Sequence, residues 1–191
     1  WRTTGGRYCS QCDAPKPARV HHCRHSGRCV LRLDHFCIFA NTPIGAANHK
    51  HFLLWQLYQS LAAAEMARLC FCGLAVAVDQ TQQRSSSGLS GAAARKARGD
   101  AVGQLVLLVL GLIVSLFTFA APAFYLPGHV RRAMSNISAV EAAQGSSKEF
   151  DCGGRLRNLE RVLGRRWLWL LPLGAPGLRT VLPLQTHKNH L

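Results

Sequence analysis

Residues 105–126 read "LVLLVLGLIVSLFTFAAPAFYL", 22 consecutive positions without a charged side chain. In a bilayer no water is available to satisfy backbone N–H and C=O groups, so a single-pass segment must be a helix. About 20 apolar residues are needed to cross the hydrocarbon core. Pro122 predicts a kink near the end of this helix, and Tyr125 suits an interface position. The stretch sets the fold class: an α-helical integral membrane protein.

Working outward, residues 79–100, "DQTQQRSSSGLSGAAARKARGD", hold few core-forming side chains and read as a Ser/Gly/Ala-rich linker. Before it lies "FLLWQLYQSLAAAEMARLCFCGLAVAV", residues 52–78, which as a helix spans roughly 40 Å. Its two charges, Glu65 and Arg68, stand at i,i+3 and are expected to pair on one face. Cys70 and Cys72 are read as helix-packing residues. The predicted organisation is therefore a polar module over 1–50, a span over 52–78, a linker over 79–101, a second span over 102–126 and a basic tail over 127–191.

Charge orients this arrangement. The chain of 191 residues carries 23 Lys+Arg against 9 Asp+Glu, a formal net charge of +14, while 48% of its residues are hydrophobic. Eight Lys+Arg fall in residues 1–51, ten in 127–191 and four in 79–101. Basic residues concentrate on the cytoplasmic side of membrane proteins, so both ends are expected to face the cytoplasm and the linker the lumen or exterior. A nucleic-acid-binding domain would share the positive charge but would not lead from its cysteines into a membrane span. Nucleic acid is not expected as a partner.

Residues 1–50 form a segment crowded with Cys and His. Cys9, Cys12, Cys23, Cys29 and Cys37 are interleaved with His21, His22, His25 and His35. Mixed Cys/His clustering points to a zinc site in a reducing compartment rather than to a disulfide framework. Cys9-x2-Cys12 places two thiolates on one tight turn, and His21, His22, Cys23 and Cys29 are available to complete a tetrahedron. Within "RLDHFCIF", residues 32–39, Asp34, His35 and Cys37 put an acid, an imidazole and a thiol within four positions. Cys37 reads as a further metal ligand, a buried thiol or a nucleophile whose base stands beside it.

Residues 8–55, "YCSQCDAPKPARVHHCRHSGRCVLRLDHFCIFANTPIGAANHKHFLLW", resemble the Asp-His-His-Cys cysteine-rich domain of the protein S-acyltransferases, or palmitoyltransferases. The shared frame includes Pro17, Arg19, the His21-His22-Cys23 run, Arg28 to Leu31, Asp34, His35, Cys37, Asn41, Gly45, Asn48 and Phe52. The resemblance implies Cys37 as nucleophile, His35 as its base and Asp34 orienting His35. It implies a first zinc site of Cys9, Cys12, His22 and Cys29. The family's second zinc site would use Cys23 with three further positions, here Ser26, Phe36 and Pro43, so one zinc rather than two is expected. His25 is the one donor able to replace a ligand beside Cys23. Ile38-Phe39 stands where the family has Pro-Trp.

The activity implied is protein-cysteine S-palmitoyltransfer, with acyl-CoA as co-substrate, membrane-associated proteins as substrates and the lipid bilayer as a partner. The expected location is the endomembrane system (Golgi or ER) or the plasma membrane. "NISAVE", residues 136–141, is similar to the family's Thr-Thr-x-Glu, keeping Ser138 and Glu141 but carrying Ala139 in place of a hydroxyl. "RNLERVLG", with Asn158, resembles an element of the family's C-terminal region. Residues 167–176, "WLWLLPLGAP", read as an interfacial segment, and His49 and His51 as interfacial residues beside Lys50. The family has four transmembrane helices and this chain two, so the resemblance implies that it begins in the loop between the second and third. The alternative to an enzyme is a catalytically inactive, zinc-containing membrane scaffold.

Overall fold

The structure is a computed structural model, and it describes residues 7–86, 91–145 and 149–174. The chain divides into two compact units, Trp1–Leu54 with Gly128–Leu191, and Trp55–Pro127.

The first unit opens with three successive antiparallel hairpins. Strand β1 (Tyr8–Cys9) pairs with β2 (Ala14–Pro15), β3 (Val20–Cys23) with β4 (Arg28–Leu31), and β5 (His35–Cys37) with β6 (Thr42–Ile44). Each hairpin turns through a residue in the left-handed region: Asp13 in the first, Gly27 in the second and Asn41 in the third. Asn and Asp tolerate that region because their short polar side chains bond the local backbone. Where the second and third hairpins meet, only glycine fits. A Cβ on Gly45 would lie 2.7 Å from Val30 Cγ1 and 2.8 Å from the Leu31 carbonyl oxygen. Asn48 then ends the hairpins and starts helix α1 (His49–Ser86), its side-chain oxygen accepting the Gly45 N–H at 2.9 Å.

The same unit is completed by the end of helix α2 (Gly91–Met134), the short helix α3 (Ala139–Ala143), α4 (Arg155–Leu163) and a 3-10 turn, Arg166–Leu168. Asn158, buried on α4, ties these pieces together. Its amide donates to the Met134 carbonyl at 2.8 Å and to Asp151 at 2.9 Å, and its oxygen accepts the Cys152 N–H at 2.8 Å. Arg19 on the second hairpin grips Glu141 with two bonds, at 2.7 and 2.8 Å, and donates to the Asn136 carbonyl at 2.7 Å.

The second unit consists of the long helical segments Trp55–Ser86 and Gly91–Pro127. Both helices are long and apolar enough to cross a membrane. Many of their large apolar side chains point outward, Phe117 being 85% and Phe124 77% exposed, while the buried positions include the small residues Ser60, Ala63, Cys70, Ala77 and Ser115. Small residues let two helices approach closely when the surroundings are as apolar as the side chains. A Cβ on Gly111 would meet Cys70 Sγ at 2.9 Å, and one on Gly73 would meet Leu108 at 3.0 Å. The Glu65–Arg68 pair forms as expected, at 2.6 Å.

The described residues of the 79–101 linker are helical. Residues 79–86 continue α1 and residues 91–101 open α2, so the helices reach well past the apolar runs. Gln, Arg, Lys and Ala are all good helix formers, and a helix already nucleated by its apolar portion extends through them at little cost. Residues 175–191 of the basic tail, including Ala175 and Pro176 of the interfacial segment, lie outside the described residues.

Candidate active site and metal centre

The register of the second hairpin places His22 directly opposite Cys29. The first hairpin presents Cys9 and Cys12 from its turn, and the ligand atoms of Cys9, Cys12, His22 and Cys29 all lie within 4.8 Å of one another. His22 Nδ1 stands 3.5 Å from Cys9 Sγ and 3.2 Å from Cys12 Sγ. A tetrahedron with zinc–sulfur bonds of ~2.3 Å and a zinc–nitrogen bond of ~2.0 Å has S···N edges of about 3.5 Å, so the donor set fits. Burial and the neighbouring Cys9 and Cys12 sulfurs push the Cys29 thiol up to about 12. Three crowded sulfurs therefore ionise together only around a cation. Of the other donors available in sequence, Cys23 is buried and His21 is buried with Nε2 unpartnered among the described residues.

The positions read as a lost second metal site hold a different contact. Phe36 and His25 stack face to face, ring centroids 4.9 Å apart and inclined by 17°. His25 is not among the donors that group as metal ligands among the described residues. The stack joins the turn of the second hairpin to the third hairpin, where Phe36 also pairs with Pro43.

Strand β5 carries His35, Phe36 and Cys37 in order. Side chains alternate across a strand, so His35 and Cys37 lie on one face and Phe36 on the other. Cys37 is buried in a cluster with Ile44 and Phe52, and the Phe52 ring meets His35 edge-on at 4.9 Å. On the same side, His35 Nδ1 bonds Asp34 Oδ2 at 2.9 Å. Asp34 is 2% exposed, and its other oxygen accepts the Ala139 N–H at 2.7 Å. Burial alone would raise its pKa. The His35 bond, the Ala139 N–H and the charge of Arg132 outweigh that and hold the carboxyl well below the usual carboxylate range.

Position 139, which has no hydroxyl, meets Asp34 through its backbone N–H. Ser138 caps α3, forming a capping box with Glu141, and this leaves the N–H of Ala139 free in the first turn. Glu141 is fixed in turn by Arg19.

Three residues around Asp34 were not singled out by the sequence. His129 and Arg132, near the end of α2, lie 3.5 Å and 3.7 Å from its oxygens. His49, read as interfacial, is instead 1% exposed and groups with Asp34 and His129. His51 is exposed. The usable signal was a histidine on each long helix just outside its apolar run, a position where titratable groups are costly without partners. Lys50 is also buried, donating to the Leu173 and Gly174 carbonyls at 2.7 and 3.3 Å.

A family profile described as DHHC palmitoyltransferase matches residues 2–146, which include all three hairpins, both long helices and α3. The chain belongs to the DHHC palmitoyltransferase family. Among curated relatives, "Probable protein S-acyltransferase 12" of Arabidopsis thaliana is 29% identical over 170 residues, covering 87% of this chain and 53% of the relative. "Palmitoyltransferase PFA3" of Yarrowia lipolytica is 31% identical over 220 residues, covering 94% and 50%. "Palmitoyltransferase ZDHHC15A" of Danio rerio is 30% identical over 184 residues, covering 90% and 50%. The chain thus spans about half the length of the palmitoyltransferases it matches. Against the family's Asp-His-His-Cys, this member carries Asp-His-Phe-Cys, and the substituted residue sits on the strand face opposite His35 and Cys37.

Proposed function

We propose that this chain carries the catalytic segment of a protein-cysteine S-acyltransferase, moving a long-chain acyl group from acyl-CoA to a cysteine of a membrane-associated protein through an acyl-Cys37 intermediate. The observation that carries the reading is the Asp34–His35 bond at 2.9 Å beside a buried Cys37 on the same face of one strand.

With Nδ1 held by Asp34, His35 keeps Nε2 as its free base nitrogen. His35 takes the Cys37 proton, and the thiolate attacks the thioester carbonyl of acyl-CoA. As the carbon–sulfur bond to CoA breaks, the departing CoA sulfur takes the proton from the imidazolium. In the second half the substrate cysteine gives its proton to His35 and attacks the acyl-Cys37 thioester. Cys37 leaves as a thiolate and is reprotonated. Buried Asp34 stays ionised throughout, fixing the tautomer and stabilising the imidazolium. Thioester exchange is nearly balanced in energy, so positioning and proton transfer make the rate.

Cys9, Cys12, His22 and Cys29 would hold one structural zinc, which supplies a cross-link between the first two hairpins. The Phe36–His25 contact stands where a second would have tied the third hairpin. In this reading the chain sits in an endomembrane or the plasma membrane with the Cys/His module and the basic tail on the cytoplasmic side. Two helices long and apolar enough to cross a bilayer, and the basic residues flanking them, support it.

The test is incubation of membranes bearing the chain with a clickable palmitoyl-CoA analogue, following hydroxylamine-sensitive label. Label should vanish in Cys37→Ser and fall by about 10²-fold or more in His35→Ala. Absence of label above Cys37→Ser, in folded zinc-loaded protein, would leave the inactive scaffold as the correct reading.

A further inference from the structure

Asp34 of the acyl-transfer centre also belongs to a second group of metal-competent donors, completed by two histidines that the proposed reaction does not use. One ligand atom each of Asp34, His49 and His129 lies within 4.8 Å of the others, and all three residues are buried. Two features distinguish this group from an ordinary buried network.

The first is His49. It is 1% exposed, and both ring nitrogens are without a hydrogen-bond partner among the described residues. Burying an imidazole with neither nitrogen satisfied is costly, and its donor atom is grouped with the other two. The second is the tautomer of His129. Arg132 Nη2 lies 2.7 Å from His129 Nδ1, and a guanidinium is a donor only. Nδ1 therefore carries a lone pair. It faces Asp34 Oδ2 at 3.5 Å, another lone-pair bearer, so the two acceptors confront each other without a proton to share. Two imidazole nitrogens and a carboxylate oxygen within 4.8 Å of one another are the donor set of an open zinc site, with a fourth position free once Arg132 releases His129. The pieces come from β5's approach and from the ends of both long helices, which sequence separation hides.

We propose that Asp34, His49 and His129 form a divalent-metal site that silences the acyl-transfer centre when filled. Closing the donors onto an ion at ~2.0–2.2 Å requires contraction of the group. It also requires Arg132, whose side chain is 29% exposed, to swing away from His129. This makes the site weaker than the Cys9–Cys12–His22–Cys29 cluster and reversible. The inhibitory consequence rests on the acyltransferase reading. The bond His35 makes is to Asp34 Oδ2, the oxygen that faces His129. An ion held there takes up the carboxylate and sets positive charge beside His35, opposing formation of the imidazolium.

The experiment uses the full chain in detergent, its cysteine cluster loaded with one zinc and free metal removed. Zinc is titrated in by calorimetry, and autoacylation is measured with and without micromolar zinc. Wild type should take up one further ion and lose autoacylation at least tenfold. His49→Gln and His129→Gln should bind that ion at least tenfold more weakly, and for any activity each retains, the ratio with and without zinc should approach one. Cobalt exchanged into the cysteine cluster keeps its intense thiolate charge-transfer band in every folded variant, so loss of the second ion is separable from unfolding. No further ion in wild type, or an unchanged second affinity in both folded variants, overturns the proposal. Uptake of the second ion by a chain that never acylates Cys37 supports the site and removes only the acyltransferase reading.

Discussion

At the scale of the residue, Asp34 is held where a carboxylate is both buried and ionised. That combination persists only when opposing hydrogen bonds and charges outweigh desolvation. One of those bonds comes from a backbone position, the N–H of Ala139 at 2.7 Å. Ala139 is the first helical residue after the Ser138 cap, and Ser138 is extended, at φ −92° and ψ 166°. Both conditions suit a proline at 139, since proline is favoured at the first helical position and demands an extended predecessor. Ala139→Pro should therefore keep α3 while deleting the N–H that reaches Asp34. The lost bond to a charged acceptor is worth about 1.5–3 kcal/mol. Autoacylation should fall while zinc at the cysteine cluster and the helical circular dichroism are retained; unchanged acylation would show that Asp34 does not depend on α3.

At the scale of the element, hairpin register makes the site. Pairing His22 with Cys29, and alternating His35 and Cys37 against Phe36, follow from strand period alone once the turns are set. The long helices obey a different rule. Their contacts are set by Gly73, Cys70 and Gly111, where backbone comes close to a neighbouring side chain. Gly111→Leu places a branched side chain into a space where even a Cβ lies 2.9 Å from Cys70 Sγ. It should destabilise the helix pair by about 1–3 kcal/mol, read as a lower thermal midpoint in detergent. Cys70→Ala in the same background should recover part of that loss; no recovery would place the strain elsewhere.

At the scale of the whole molecule, residues more than a hundred positions apart close the first unit. Arg19 and Glu141 join its hairpins to α3, with side chains 18% and 3% exposed. Burial would raise the Glu141 pKa, but the Arg19 bonds, the Ser138 N–H and the charge of Arg32 lower it below its ordinary value of 4.5. A carboxyl depressed in the folded state stabilises the fold fully above its unfolded pKa, and that stability is lost as the pH falls through the folded one. Stability should accordingly decline below about pH 4.5. Glu141→Gln should lower stability at neutral pH by about 3 kcal/mol, because it leaves Arg19 half-buried without its partner. It should also flatten the acid limb, leaving the slope due to Asp34. Thermal unfolding across pH 3–7, compared between the two proteins, checks both effects.

The sequence by itself showed two apolar runs of helical length and a segment crowded with Cys and His, which depend on local composition and spacing. The choice of Cys9, Cys12, His22 and Cys29 among those donors, and the pairing of Asp34 with His35, came from the family resemblance. The helix ends were misjudged, because Gln, Ala and Arg continue a helix as readily as they solvate a loop. The role of the Ala139 backbone was invisible, since a side-chain motif cannot show that an N–H will meet Asp34. Likewise the stacking of His25 on Phe36 is a contact that spacing leaves open. Only the tertiary structure decided that His49 and His129 meet at Asp34. Most of both long helices lies between them in sequence, and burial against a shared carboxylate is a property of packing, which no residue carries alone.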